Sequence, residues 1–381
     1  MELGISLSGG GIRAAAFHAG LLLRLAVDGR LEKVTRLSTV SGGSLFAAAV
    51  FSQAGYRWPS SSEYKNNVFP ALRQLLTGQD LLSLQALGIS GIIRFNARLL
   101  HSRANVLAQM LQDKWKIRGK LNDLPNDPIW WINTTCLETG KNWRFSRSEM
   151  GDWIFGRHFN PDCNIADAVA ASAAVPYAIG ALKLAVPQHG WYRTDPASKQ
   201  PLEKRAPVSP VVRLWDGGAY ENLGLEVLFK PGQKFDGFDF LICGDASAPL
   251  GKPSGTALNI FKGQLVSPRL FDISSDQIRA LRSRMFMTAV QNGTSRGALI
   301  RMGNSVRDID IKAGRQRTRS EYEEFQRDND VALASTHPTQ LRALGLPTFE
   351  HIARHGFEVT DATLTTYASS EFSQSCAWPL G

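Results

Sequence analysis

Gly9-Gly10-Gly11-Ile12-Arg13 follows directly on the chain's first apolar run, Leu3–Leu7, and a helical pattern, Ala14–Val27, follows directly on it. A strand that passes through three glycines into a helix leaves few architectures open. The turn is tight, its amides are bare, and the helix dipole points at the same spot. A second strand-like run, Arg36–Val40, then ends in Ser41-Gly42-Gly43 and enters a second helical start, Gly43–Phe51. Two strand–loop–helix units in succession predict an α/β fold with a largely parallel sheet.

Further segments keep that rhythm. Ile129–Thr134 and Trp143–Ser146 read as a pair of strands, and Ile165–Ala174 as a short Ala-rich helix stopped near Pro176. Val211–Trp215 and Phe238–Cys243 are apolar runs that end at Asp216 and Asp245. The rhythm breaks at about 52–127, 180–210 and 303–345. The first is mostly helical in pattern, the second a Pro- and Lys-rich loop excursion, and the third polar. These read as insertions on a single domain spanning 1–381, because the candidate site residues lie on both sides of the first two.

With 43% hydrophobic and 20% charged residues, the chain has ordinary globular composition. Its four cysteines, Cys136, Cys163, Cys243 and Cys376, form no CxxC or Cys/His cluster, which argues against zinc or a disulfide framework. No secretory leader pattern precedes Leu3, and no apolar run is long enough to span a bilayer, so a cytoplasmic protein is expected. The net charge of +9 is uneven, with 13 Lys or Arg against four acids between Lys252 and Arg319. Such a stretch predicts either a basic face for an anionic partner, peripheral membrane included, or a plain solvated surface. No nucleic-acid motif accompanies it, so nucleic acid is not expected.

The two glycine motifs together suit acyl transfer, which needs an activated nucleophile and a stabilised oxyanion. A serine on a strand-to-helix elbow requires small neighbours, which Gly42 and Gly43 supply. The Gly9–Arg13 loop lacks the Lys-Ser or Lys-Thr of a Walker loop and the spacing of a dinucleotide fingerprint. Oxyanion stabilisation by Gly9, Gly10 and Gly11, with Arg13 beside them, is the better reading. None of the histidines (His18, His101, His158, His189, His337, His351 and His355) has a triad context. His351 and His355 are four apart on a probable helix, but without a carboxylate signature they read as surface residues. The other candidate bases are Asp216, in Trp215-Asp216-Gly217-Gly218, and Asp245. A free aspartate is too weak a base at neutral pH, and burial would raise its pKa.

These motifs, in this order, resemble the patatin-like phospholipases, a family related to the cytosolic phospholipase A2 catalytic domain. The family's Gly-rich oxyanion loop, nucleophile elbow and distant Asp-Gly-Gly map onto Gly9–Arg13, Ser41 and Asp216–Gly218. Ala170–Pro176, the strand ending in Asn133-Thr134-Thr135, and the late His355-Gly356-Phe357 region are also similar. Thr39 stands where the family's elbow carries its first glycine, and Glu221-Asn222-Leu223-Gly224 replaces its frequent Asn-Asn-Pro.

The resemblance implies a three-layer α/β/α fold and a Ser41–Asp216 dyad working through an acyl-enzyme, with no metal or organic cofactor. It also implies a phospholipid or lysophospholipid substrate. The apolar, Arg-dotted stretch around Leu81–Leu100 would suit a membrane surface. Two alternatives stay open: a soluble acyl-ester or thioester hydrolase or acyltransferase, and a non-catalytic scaffold for anionic lipid.

Overall fold

The computed structural model describes residues 1–81, 103–176, 179–195, 200–250, 267–315 and 317–380. Its first half runs β1 (Leu3–Leu7), α1 (Gly11–Val27), β2 (Val34–Val40), α2 (Gly42–Gln53), α3 (Phe69–Gly78), α4 (Arg103–Asp113), β3 (Ile129–Cys136), β4 (Asn142–Phe145), β5 (Glu149–Asp152), β6 (Gly156–Phe159) and α5 (Ile165–Ser172). It continues through β7 (Leu182–Ala185), β8 (Trp191–Thr194), β9 (Pro201–Arg205), β10 (Val211–Asp216), β11 (Phe240–Asp245), α6 (Ser267–Gln291), β12 (Gly297–Arg301), α7 (Val306–Lys312), α8 (Arg319–Glu323), α9 (Asp328–Thr336) and α10 (Leu346–Tyr367).

The five strands β12-β11-β1-β2-β3 are parallel and form the centre of the α/β architecture. Every residue of β1 is buried, as a strand covered on both faces requires. Helix α1 is buried from Gly11 to Ala26, apolar nearly all round because it packs against both α10 and α2. Both early helices begin sooner than their apolar pattern suggests, at Gly11 and Gly42, so the glycine turns are shorter than the sequence implies.

From β3 the sheet continues antiparallel through β4, β5, β6, β8 and β9. The 180–210 stretch, read from sequence as a loop excursion, therefore holds three short strands. Strand β9 is exposed at four of its five positions, so no apolar alternation marks it.

One detail of register builds the site. Strand β2 pairs with β3 as far as Val40↔Asn133, and β10 takes over the same strand with Asp216↔Thr134. The residue after Val40 and the last residue of β10 are thus delivered to one place. The loops after β1 and β11 open at that same carboxyl end, where ligands gather in open α/β sheets.

In the basic stretch four of the arginines are paired with acids. Arg279 pairs with Asp245 and Asp276, Arg282 with Glu226, Arg296 with Glu371 and Arg317 with Asp310. Lys252 and Lys262 lie outside the described residues, as does the Leu81–Leu100 stretch beyond Leu81, which itself is fully buried. Among the described residues no helix is long and apolar enough to cross a membrane.

Candidate active site

Ser41 occupies the turn between β2 and α2 with φ 50° and ψ −114°. An L residue rarely adopts that backbone, and holding it there costs about 1–3 kcal/mol. The surroundings enforce it. A Cβ on Gly42 would lie 2.3 Å from the Gly11 carbonyl oxygen, and one on Gly43 would lie 2.4 Å from that of Leu7. The elbow is therefore packed backbone-to-backbone against the first glycine loop, and only glycines allow the approach.

A one-directional chain of hydrogen bonds holds the Ser41 amide. Ser172 Oγ donates its single proton to the Asn133 carbonyl at 2.7 Å, so it must accept from Ser41 N–H at 2.9 Å and from Ser44 Oγ at 2.8 Å. Ser44 in turn accepts from Thr39 Oγ1 at 2.8 Å, and Thr39 accepts from Trp130 Nε1 at 2.9 Å. Thr39, the departure from the family's glycine, is fully buried and forms a link in this chain.

Asp216 ends β10. Its amide donates to the Ala174 carbonyl at 3.0 Å, and its own carbonyl accepts from Thr135 Oγ1 at 2.9 Å. One carboxylate oxygen accepts from Gly218 N–H at 2.7 Å, and the Ser41 side chain stands near enough to the carboxylate to favour its ionised form. Burial pushes this carboxyl up from 3.8 to about 6, against the opposing pull of those two groups. A group of that strength is ionised at neutral pH yet is basic enough to take a hydroxyl proton in passing. Gly217 and Gly218 leave room for the Asn133 carbonyl and the Asn222 side chain, which would lie 2.5 Å and 2.7 Å from added Cβ atoms.

The glycine loop does not present all its amides. Gly9 N–H donates to the Asn222 carbonyl at 3.1 Å, and Ile12 N–H to the Gln340 carbonyl at 3.0 Å. Gly9, expected to face an oxyanion, is thus an anchor. Among the described residues the Gly10 and Gly11 amides donate to no other group, with φ of 142° and 64°.

Ser8 ties the loop's base to β11 and α2. Its hydroxyl accepts from Ala246 N–H at 2.7 Å, and its carbonyl accepts from Gly43 N–H at 3.1 Å and His18 Nε2 at 3.0 Å. Burial drives His18 down to about 4, so it acts as a neutral donor. Arg13 is buried and donates to the Ala246, Ser335 and His337 carbonyls at 3.0, 3.2 and 2.7 Å. It clamps the loop from behind.

The two aspartates differ sharply. Asp245 is held by Arg279 at 3.1 Å and by Ser247 N–H at 3.1 Å. His351 and His355, read as surface residues, serve packing instead. His355 is buried and donates to the Met302 carbonyl at 2.6 Å, while His351 donates to that of Asp330 at 2.7 Å. Among the described residues no three His, Cys, Asp or Glu side chains converge as a metal would need.

Above Ser41 and Asp216 opens a cavity of about 670 Å³. The Gly9–Gly11 loop forms one part of its lining, and Val175, Pro176, Ile179, Phe271 and Leu341 form an apolar part. The model of the patatin-like phospholipase family matches residues 5–229, more than half of the chain and the segment that contains Ser41, Asp216 and both glycine turns. This chain belongs to the patatin-like phospholipase family.

Solved structures agree in fold. Human GIVD cytosolic phospholipase A2 aligns with this patatin-like chain at a TM-score of 0.57 and 14% identity, covering 96% of this chain and 59% of that one. The same human protein in complex with a methyl gamma-linolenyl fluorophosphonate inhibitor and terbium chloride aligns at 0.55 and 15%, covering 96% and 58%. The patatin-like chain therefore spans less than two thirds of the length of these structures. No curated protein matches it in sequence.

Sequence reasoning singled out Ser41, Asp216 and the glycine loop, which the fold brings together around one cavity. It gave no role to Ser172, Ser44 and Trp130, whose contribution depends on contacts across β2, β3 and α5. Asn222 drew notice only as a departure from the family pattern, yet its carbonyl fixes Gly9.

Proposed function

We propose that the protein is a serine lipid acyl hydrolase acting on phospholipid or lysophospholipid. The carrying observation is that Ser41 and the buried Asp216 carboxyl line one cavity beside open glycine amides and an apolar wall.

In this reading Ser41 Oγ attacks the acyl carbonyl carbon while its proton passes to Asp216. The Gly10 and Gly11 amides receive the tetrahedral oxyanion. Collapse expels the alcohol, which takes the proton back from Asp216, and leaves Ser41 acylated. Water then attacks the acyl-enzyme, Asp216 accepts its proton, and Ser41 departs with that proton as the fatty acid is released. Arg13 takes no part in proton transfer; it positions the loop. The apolar lining formed by Val175, Pro176, Ile179 and Leu341 suits an acyl chain.

Fatty-acid release from mixed anionic vesicles tests the proposal, with Ser41→Ala as the control. Release that disappears in the variant supports it. Release that persists in Ser41→Ala overturns it.

A further inference from the structure

A phospholipid brings a phosphate to the mouth of its cavity, and a cation there would set which esters are accepted. Among the described residues three cationic side chains line this cavity: Arg13, Arg279 and Arg342. Arg13 is buried against three carbonyls, and Arg279 is committed to Asp245 and Asp276. Arg342 differs from both. It is exposed, and no hydrogen bond or ion pair engages its side chain among the described residues.

Its backbone, by contrast, is fixed on both sides. Two residues before it, the Gln340 carbonyl accepts from Ile12 N–H at 3.0 Å, and the Gln340 backbone packs so closely on Gly11 that a Cβ there would lie 2.6 Å from it. The neighbouring Leu341 carbonyl accepts from Leu81 N–H at 3.2 Å, and Ala343 N–H donates to Asp80 at 2.6 Å. A guanidinium without a partner among the described residues is thus held on a strap tied directly to the glycine loop.

We infer that Arg342 is the specificity-determining residue that binds the phosphodiester of the lipid headgroup. The planar fork of an arginine matches a pair of phosphodiester oxygens, and an exposed arginine that forms no ion pair among the described residues gives up little to make that contact. The inference rests on the lipid-hydrolase reading for its substrate, but headgroup binding can be measured without turnover.

The probe is sn-glycero-3-phosphocholine, which carries the headgroup and has no acyl bond to cleave. Its binding to the full chain is measured by calorimetry, beside inorganic phosphate. Arg342→Ala and Arg342→Glu weaken glycerophosphocholine binding about tenfold or more, and Arg342→Lys recovers part of it. In parallel, kcat/KM for a short-chain phospholipid falls by a similar factor in Arg342→Ala, chiefly through KM. That for an uncharged p-nitrophenyl ester stays within twofold. Unchanged glycerophosphocholine binding in Arg342→Ala, binding of inorganic phosphate alone, or an equal loss on both esters would overturn the assignment. Absence of all ester hydrolysis with intact glycerophosphocholine binding at Arg342 would instead strike the acyl-hydrolase reading.

Discussion

Replacing Asp216 with Asn removes a charge that the fold holds at a cost. The carboxyl moves from an ordinary 3.8 to about 6 because it is buried. Ionising it in the native state is therefore harder than in the unfolded chain by about 3 kcal/mol. The sign follows from proton binding. Between pH 4 and pH 6 the native state holds this proton more tightly than the unfolded state, so stability falls as pH rises through that window and stays reduced above it. Asp216→Asn escapes the loss while keeping an acceptor for Gly218 N–H. Urea unfolding at pH 8 is expected to show the variant more stable by up to about 3 kcal/mol, with the two curves converging near pH 4. Its ester hydrolysis should fall by several orders of magnitude, since no base remains for the Ser41 proton. An Asp216→Asn protein no more stable than native at pH 8 would refute the claim that burial strains this carboxylate.

Three further outcomes follow from the same contacts. In the native protein kcat/KM should rise with pH through about 6 as Asp216 ionises, and a profile flat between pH 5 and 7 would contradict the assignment of Asp216 as base. Ser172→Ala strips the Ser41 amide and the Ser44 hydroxyl of their acceptor. It should cost about 1–3 kcal/mol in denaturant unfolding and lower kcat more than it raises KM. Asp245→Ala leaves Arg279 half-paired and should cost about 3 kcal/mol of stability while the folded fraction keeps its kcat; loss of activity without loss of stability would show the two aspartates exchanged.

Local chemistry made the core of the site legible. Glycines 9–11 between a strand and a helix, Ser41 before two more glycines, and Asp216 at the end of an apolar run each announce a turn at a strand's carboxyl end. Long-range geometry hid the rest. Whether the Gly9 amide is open depends on Asn222, far along the chain, which already takes its proton. Thr39 looked like an intrusion into the elbow because its partners, Trp130 and Ser44, meet it only once β2 and β3 pair. Strands β7 to β9 escaped notice because they extend the sheet where polar side chains are tolerated, so apolar periodicity fades. Charge counting also leaves pairing invisible in the basic stretch, where Arg279, Arg282, Arg296 and Arg317 each close on an acid.

The central claim is that Ser41 is a nucleophile activated by Asp216. An alkyl fluorophosphonate reads this directly, since attack by an activated serine forms a P–O bond, expels fluoride and leaves a stable adduct. After incubation at pH 7.5, intact-mass and peptide mapping should find one adduct per chain, on Ser41. The adduct should be absent in Ser41→Ala and formed at least a hundredfold more slowly in Asp216→Asn. An adduct on another residue, no adduct at all, or equal labelling of the native and Asp216→Asn proteins would contradict the account.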